Sequence, residues 1–201
     1  MSELVLPGTF VVDKPMRVEG TFVEKNKTFT SVIGMLRDGR VIPLKGYYVP
    51  RLGDYVIGVV SEIRFSGFEV DLNSPYPGNI SARDTREAFE VGDVVSAKVR
   101  AVTEVNKSDL IEPRKFWGGR LMEVESVKVP RLIGRNGSML DMLKTYCKCD
   151  VFVGKNGRAY LKGGNVALAE MAVLKISRES HLRGLTDRMK HFLEKESSKT
   201  I

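Results

Sequence analysis

A chain of 201 residues with 42% hydrophobic and 28% charged side chains is long enough for two or three small modules and apolar enough to give each a core. No run approaches the ~18 consecutive apolar residues of a membrane helix, and MSELVLPGTFVV lacks the basic region of a signal peptide, so an intracellular, cytoplasmic protein without membrane contact is expected. Cys147 and Cys149 form a lone C-x-C, with His181 and His191 on another segment; two free thiols are expected, with neither a metal nor a cofactor.

The formal net charge of +7 is unevenly spread. Residues 1–50 carry 7 basic and 5 acidic groups, residues 51–121 carry 10 and 11, and residues 122–201 carry 15 and 9. The excess of +6 in the last third is the bias of a phosphate-binding module, since each neutralised phosphate releases counterions.

Residues 1–50 read as short strands: GTFVV, GTFVEKNKTFTSVIGML and GRVIPLKGYYV are β-branched and aromatic runs broken by Lys25-Asn26-Lys27, Asp38-Gly39 and Lys45-Gly46. Asp38-Gly39 is a hairpin signal because glycine accepts the positive φ of a type I′ turn. Residues 51–121 contain YVIGVVSEIRF, FEVDL and VVSAKVRAVTEV, each opened by Gly-Asp or Ser-Gly. Five or so short strands without a long helix predict a small closed barrel of the oligonucleotide-binding type.

From residue 122 the pattern turns mixed. A strand over LMEVESVKV leads to Pro130, Leu132-Ile133 and GRNG, then a helix over SMLDMLKTYC with Met139, Leu140, Leu143 and Cys147 on one face. Strands DVFV and RAYLKG flank GKNG. Asn165 is placed to cap a helix whose Val166, Ala169, Val173 and Ile176 form a stripe, and a last helix is expected around Asp187–Glu196. The order β-α-α-β-β-α with Gly-x-x-Gly between the first two helices describes a type I KH domain. The fold class expected is therefore mixed and multi-domain: an all-β unit at 1–50, an S1-type OB barrel at 51–121 and an α+β KH domain at 122–201.

The two G-basic-Asn-Gly tetrapeptides divide in role. Gly134, Arg135, Asn136, Gly137 and then Ser138 precede a helix N-terminus, where free N–H groups and the helix dipole favour an anion and the glycines let a sugar-phosphate backbone approach. KH domains use such a loop to clamp about four nucleotides. With Arg131 beside it, this is the first candidate RNA site. Gly154–Gly157 lies between strands, so Asn156-Gly157 reads as a two-residue hairpin turn with both residues at positive φ, and Lys155 and Arg158 as incidental phosphate contacts.

LPG near the start, GDYVIGVV, DLNSPY, KVPRLIGRNGSML, VGKNGRAYLKG and SHLRGLTDRMKHFL, in that order, resemble the S1/KH RNA-binding cap subunit of the archaeal exosome, the ribosomal-RNA-processing-protein-four family. The resemblance covers essentially the whole chain. It implies a non-catalytic subunit, three copies of which sit on a hexameric ring of ribonuclease-PH-like subunits and thread single-stranded RNA 3′ ends to phosphorolytic sites. It also implies that the N-terminal unit anchors to the ring, and that G-x-N-G in the KH hairpin has a structural role.

The chain departs from the wider S1 pattern. Ser66 and Glu69 fall where many S1 domains carry stacking aromatics, and Ser81 falls near their histidine. Phe65 and Phe68 lie nearby, as base-stacking or as barrel residues, and Arg64, Arg83, Arg86 or Lys98 is expected to guide RNA by charge, Arg86 and Lys98 reading equally as solvated surface. In EPRKFWGGR, Arg114, Lys115, Trp117 and Arg120 interleave cations with aromatics; Trp117 reads first as an interdomain plug and second as a contact to single-stranded RNA.

Three functions compete: the ring cap, an enzyme, and a free-standing S1/KH RNA chaperone or transcription/translation factor. The sequence holds no clustered carboxylates, Cys/His pairs or phosphate-cradling loop for nuclease chemistry.

Overall fold

The computed structural model describes residues 3–198 apart from Arg17, Glu19, Asp38 and Arg183. The chain divides into two compact units, Met1–Gly46 and Tyr47–Ile201.

The first unit holds two three-stranded antiparallel sheets. Strands β1 (Glu3–Val5), β2 (Phe10–Val12), β3 (Thr21–Glu24), β4 (Lys27–Thr30), β5 (Ile33–Arg37) and β6 (Arg40–Lys45) pair in the orders β1-β5-β6 and β2-β4-β3. Phe29 of β4 meets Phe22 in a stack and Phe10 edge-on, a cross-strand cluster on one pleat face. Thr28 and Thr30 are buried with their hydroxyls donating to the carbonyls of Lys14 and Leu6, which stitches the loops to the sheet. Arg37 faces Arg40 across the β5–β6 hairpin, and Gly39 sits at φ 70° as its turn requires; Asp38 of the expected Asp-Gly pair lies outside the described residues.

The second unit begins with a closed barrel of β7 (Tyr55–Arg64), β8 (Gly67–Asp71), β9 (Gly78–Ser81), β10 (Val94–Val102) and β11 (Ser108–Lys115). The neighbour order β10-β11-β9-β8-β7, with β11 parallel to β9 and the remaining pairs antiparallel, is that of an OB barrel. Period-2 alternation drives closure: Val95, Ala97 and Val99 of β10 point inward onto Val60, Val70, Ile80 and Leu110. Tyr48 belongs to this core, donating its hydroxyl to Asp54 at 2.8 Å, so the barrel recruits residues ahead of position 50. Burial, reinforced by that bond to Asp54, raises the Tyr48 phenol far above its ordinary range.

The KH domain follows: β12 (Arg120–Glu123), α1 (Val129–Ile133), α2 (Ser138–Cys147), β13 (Asp150–Val153), β14 (Arg158–Lys162), α3 (Val166–Glu179) and α4 (Leu185–Ser197). The antiparallel sheet runs β12-β14-β13 and the helices bury Leu132, Leu143, Val173, Met189 and Leu193 against it. The fold class is thus the mixed one expected: an all-β unit, an OB-type barrel and a KH domain. Asn165 caps α3 by accepting from the Leu168 N–H at 2.9 Å. One expectation is corrected: the strand over 121–129 stops at Glu123, and Ser126–Lys128 form a 3-10 turn into α1. Pro130, at the first turn of α1, has no N–H to offer a strand and suits a helix start.

Barrel and KH domain are joined through the GKNG hairpin. Gly154 N–H bonds the Arg158 carbonyl at 2.8 Å, so the loop is three residues long, and of these only Gly157 has positive φ, 82°. Asn156 is therefore not the positive-φ turn residue expected. Its side chain is fully buried: Nδ2 donates to the carbonyls of Ile57 (2.7 Å) and Leu72 (2.9 Å), while Oδ1 accepts from the Ile57 N–H (3.1 Å). An amide reproduces a strand's donor–acceptor pair, so Asn156 docks on β7 like one more β-residue. Lys155 N–H extends the contact to the Tyr55 carbonyl at 2.8 Å. Arg158, expected as an incidental phosphate contact, is instead buried and forks onto Asp71 of the barrel and Glu123 of β12.

Candidate nucleic-acid interface

The GRNG turn is built by backbone that few residues accept. Gly134 ends α1 at φ 77°, ψ 175°, Asn136 sits at φ 53°, and Gly137 caps α2 at φ 82° in the left-handed region. The two glycines do different work. A Cβ on Gly134 would lie 2.7 Å from the Met139 nitrogen, so this glycine lets α1 and α2 pack closely. A Cβ on Gly137 would meet nothing nearer than Asp141 Oδ2 at 3.7 Å, so that glycine leaves an open approach. No side chain caps α2, Ser138 N–H bonds back to the Arg135 carbonyl, and Arg131, Arg135, Asn136 and Ser138 are exposed. An uncapped N-terminus flanked by two arginines attracts an anion. Asp141 in the first turn of α2 opposes it, a counter-charge the sequence reading did not weigh.

On the barrel, Phe65 stands fully exposed at the tip of the β7–β8 hairpin. Phe68 turns the other way and packs edge-on against Phe89 at 5.1 Å, part of the core margin rather than a platform. Arg64 is half exposed between Glu62 and Glu69, 2.7 Å from each, so its charge is largely offset by theirs. Arg83 and Arg86 are exposed, and Lys98 lies over the Tyr55 ring.

At the junction the roles of neighbouring residues exchange. Trp117, read as an interdomain plug, is 64% exposed. The interdomain aromatic is Phe116, which stacks on Tyr160 at 4.3 Å and leans on Phe152 at 5.2 Å. Gly119 makes this possible, because a Cβ there would strike the Tyr160 ring at 2.5 Å, and its N–H bonds the Tyr160 hydroxyl. Lys115 is only 12% exposed, paired with Asp93 and 4.0 Å from the Trp117 ring centroid. Its ammonium is thus committed inside the protein. Burial works against the Asp93 carboxylate, but the Glu90 N–H and Lys115 hold its pKa below the usual range. Arg120 pairs with Glu170 of α3.

Both cysteines are buried free thiols, and burial pushes Cys147 up to about 11. Among the described residues no group of three or more His, Cys, Asp or Glu is arranged to hold a metal ion, and no helix is long and apolar enough to cross a membrane.

A family model described as the KH domain matches residues 119–167, the span from Gly119 through the GRNG turn and the GKNG hairpin to the start of α3. With the OB-type barrel ahead of it, this defines a multi-domain KH protein. The exosome complex component Rrp4 of Pyrococcus abyssi is 40% identical over 217 aligned positions, covering 95% of this chain and 82% of its own. That of Methanothermobacter thermautotrophicus is 40% identical, covering 96% and 68%. A crystal structure described provisionally as an exosome complex RNA-binding protein superposes with a TM-score of 0.71 at 33% identity, covering 78% of this chain and all of its own. The chain belongs to the Rrp4 family of exosome complex components.

Proposed function

We propose that this chain is the non-catalytic RNA-binding cap of the archaeal exosome, a cytoplasmic subunit that captures single-stranded RNA and feeds its 3′ end to a phosphorolytic ring. The observation that carries the reading is the GRNG turn, an open, uncapped helix start with Arg131 and Arg135 exposed beside it, in the most basic third of a Rrp4-family chain. Gly134, Arg135, Asn136, Gly137 and Ser138 hold the RNA backbone, with Arg131 adding charge; Arg64, Arg83 and Phe65 on the barrel guide it. Lys115 and Phe68 have no part in this contact, being committed to Asp93 and to the core.

The N-terminal unit is the anchor to a hexameric ring of ribonuclease-PH-like subunits, three caps to a ring. Leu4, Leu6, Phe10 and Phe22 are exposed on it, apolar surface that a protein partner would cover. A tagged full chain pulled from native extract should bring down ribonuclease-PH-like subunits; recovery with only ribosomes or polymerase would favour a free-standing factor and defeat the cap.

A further inference from the structure

Between the barrel and the KH domain lies a cleft of about 570 Å³, lined by β7, β10 and β11 on one side and β13 on the other. Its size is that of small-molecule sites generally. Tyr55 and Phe152 line it and are both exposed, and neither belongs to the GRNG turn. Phe152 and Tyr160 are cross-strand partners on β13 and β14, and Phe116 packs on both, stacked on Tyr160 and tilted 49° from Phe152. An exposed ring already held by its neighbours can pack another planar group at little entropic cost.

The charges narrow the planar group. Arg114 lines the cleft, is exposed, and pairs with no carboxylate among the described residues, so it is available to a phosphate. Glu112 lines the same cleft, held by its backbone at φ 54°; a carboxylate repels phosphate but accepts from exocyclic amines. Lys115 is spent on Asp93. Ring, amine acceptor and an unpaired arginine, with Lys98 close by over the Tyr55 ring, together match a nucleotide with its base inward and phosphate outward.

We propose that this junction cleft takes one unstacked nucleobase of a bound single-stranded RNA, stacked on Phe152 and flanked by Tyr55, with Arg114 on its phosphate. The inference rests on the RNA-binding reading above and adds a base contact to what is otherwise a backbone clamp.

The test measures binding of the full chain to a fluorescent single-stranded oligoribonucleotide and to an abasic oligomer of equal length. Tyr55→Ala and Phe152→Leu should each weaken the normal RNA about tenfold, within the range of one lost base stack, and barely alter abasic binding. Phe152→Leu keeps apolar bulk beside Phe116, and its melting temperature is checked in parallel. Unchanged affinity for normal RNA overturns the proposal and leaves the cleft to a protein partner; equal losses on both RNAs overturn it in favour of a fold or phosphate effect. Gly137→Asp, measured alongside, should weaken both RNAs. If it does so while the cleft variants do not, only the cleft inference fails; if the native chain binds neither RNA, the RNA-binding reading fails with it.

Discussion

At Gly137 the lack of a side chain leaves the start of α2 open. The glycine's surroundings are open, so Gly137→Asp introduces bulk and charge at the cost of the left-handed φ, about 1 kcal/mol for a residue with a Cβ. RNA affinity should fall about tenfold, the scale of a reversed charge at a helix terminus, with the melting temperature lowered by only about 2–4 °C. Gly134 is a poorer place to test the clamp, because any Cβ there collides with Met139 and unsettles α1 against α2. Asp141→Asn removes the opposing charge and should tighten binding two- to fivefold, roughly the worth of one screened charge. Asn156 shows the other way a residue can matter. Asn156→Ala strands the N–H and carbonyl of Ile57 and the carbonyl of Leu72, at a cost of about 2–4 kcal/mol read by denaturant unfolding. Cys147, held protonated by burial, contributes stability in full below the ordinary thiol pKa of about 8.5 and loses it as pH climbs toward 11. A thiol reagent at pH 8 should therefore label it only on unfolding.

Among the elements, the β13–β14 hairpin carries more than its own sheet. Its tip is an extra partner for β7, and Arg158 at its return ties Asp71 to Glu123. Arg158→Lys keeps the charge but cannot fork to two carboxylates, so it should recover little of the stability lost in Arg158→Ala, about 2 kcal/mol in thermal unfolding. Helices α2 and α3 were legible because their apolar stripes repeat at helical spacing and Asn165 marks a start. The short barrel strand β9 and the end of β12 at Glu123 were not, since four residues give too little periodicity. The GRNG turn could be placed from glycines before a helix. The latch could not: Asn-Gly signals a turn locally, and nothing in the tetrapeptide says that its amide reaches residues 57 and 72, about a hundred positions away in sequence. Phe116 and Trp117 were exchanged for the same reason, because which of two adjacent aromatics faces the neighbouring domain depends on the register of β11.

For the whole molecule, the order of modules was readable from the strand and helix patterns and the charge bias from composition, and the family comparison agrees with the resemblance drawn from the ordered motifs. The boundary near residue 50 was less so: Tyr48 enters the barrel core because the chain closes the barrel with residues that precede its first strand. A chain whose excess charge lies in the KH third should bind RNA with a steep salt dependence, and the central claim is that it does so through the GRNG turn without cutting the RNA. The most direct measurement is a fluorescence-anisotropy titration of the full chain with an unstructured, end-labelled oligoribonucleotide in phosphate buffer, for the native protein and Gly137→Asp. The account predicts salt-dependent binding of RNA that stays full length, weakened about tenfold by the substitution. Native-level affinity in Gly137→Asp, or shortening of the RNA by the purified chain alone, would contradict it.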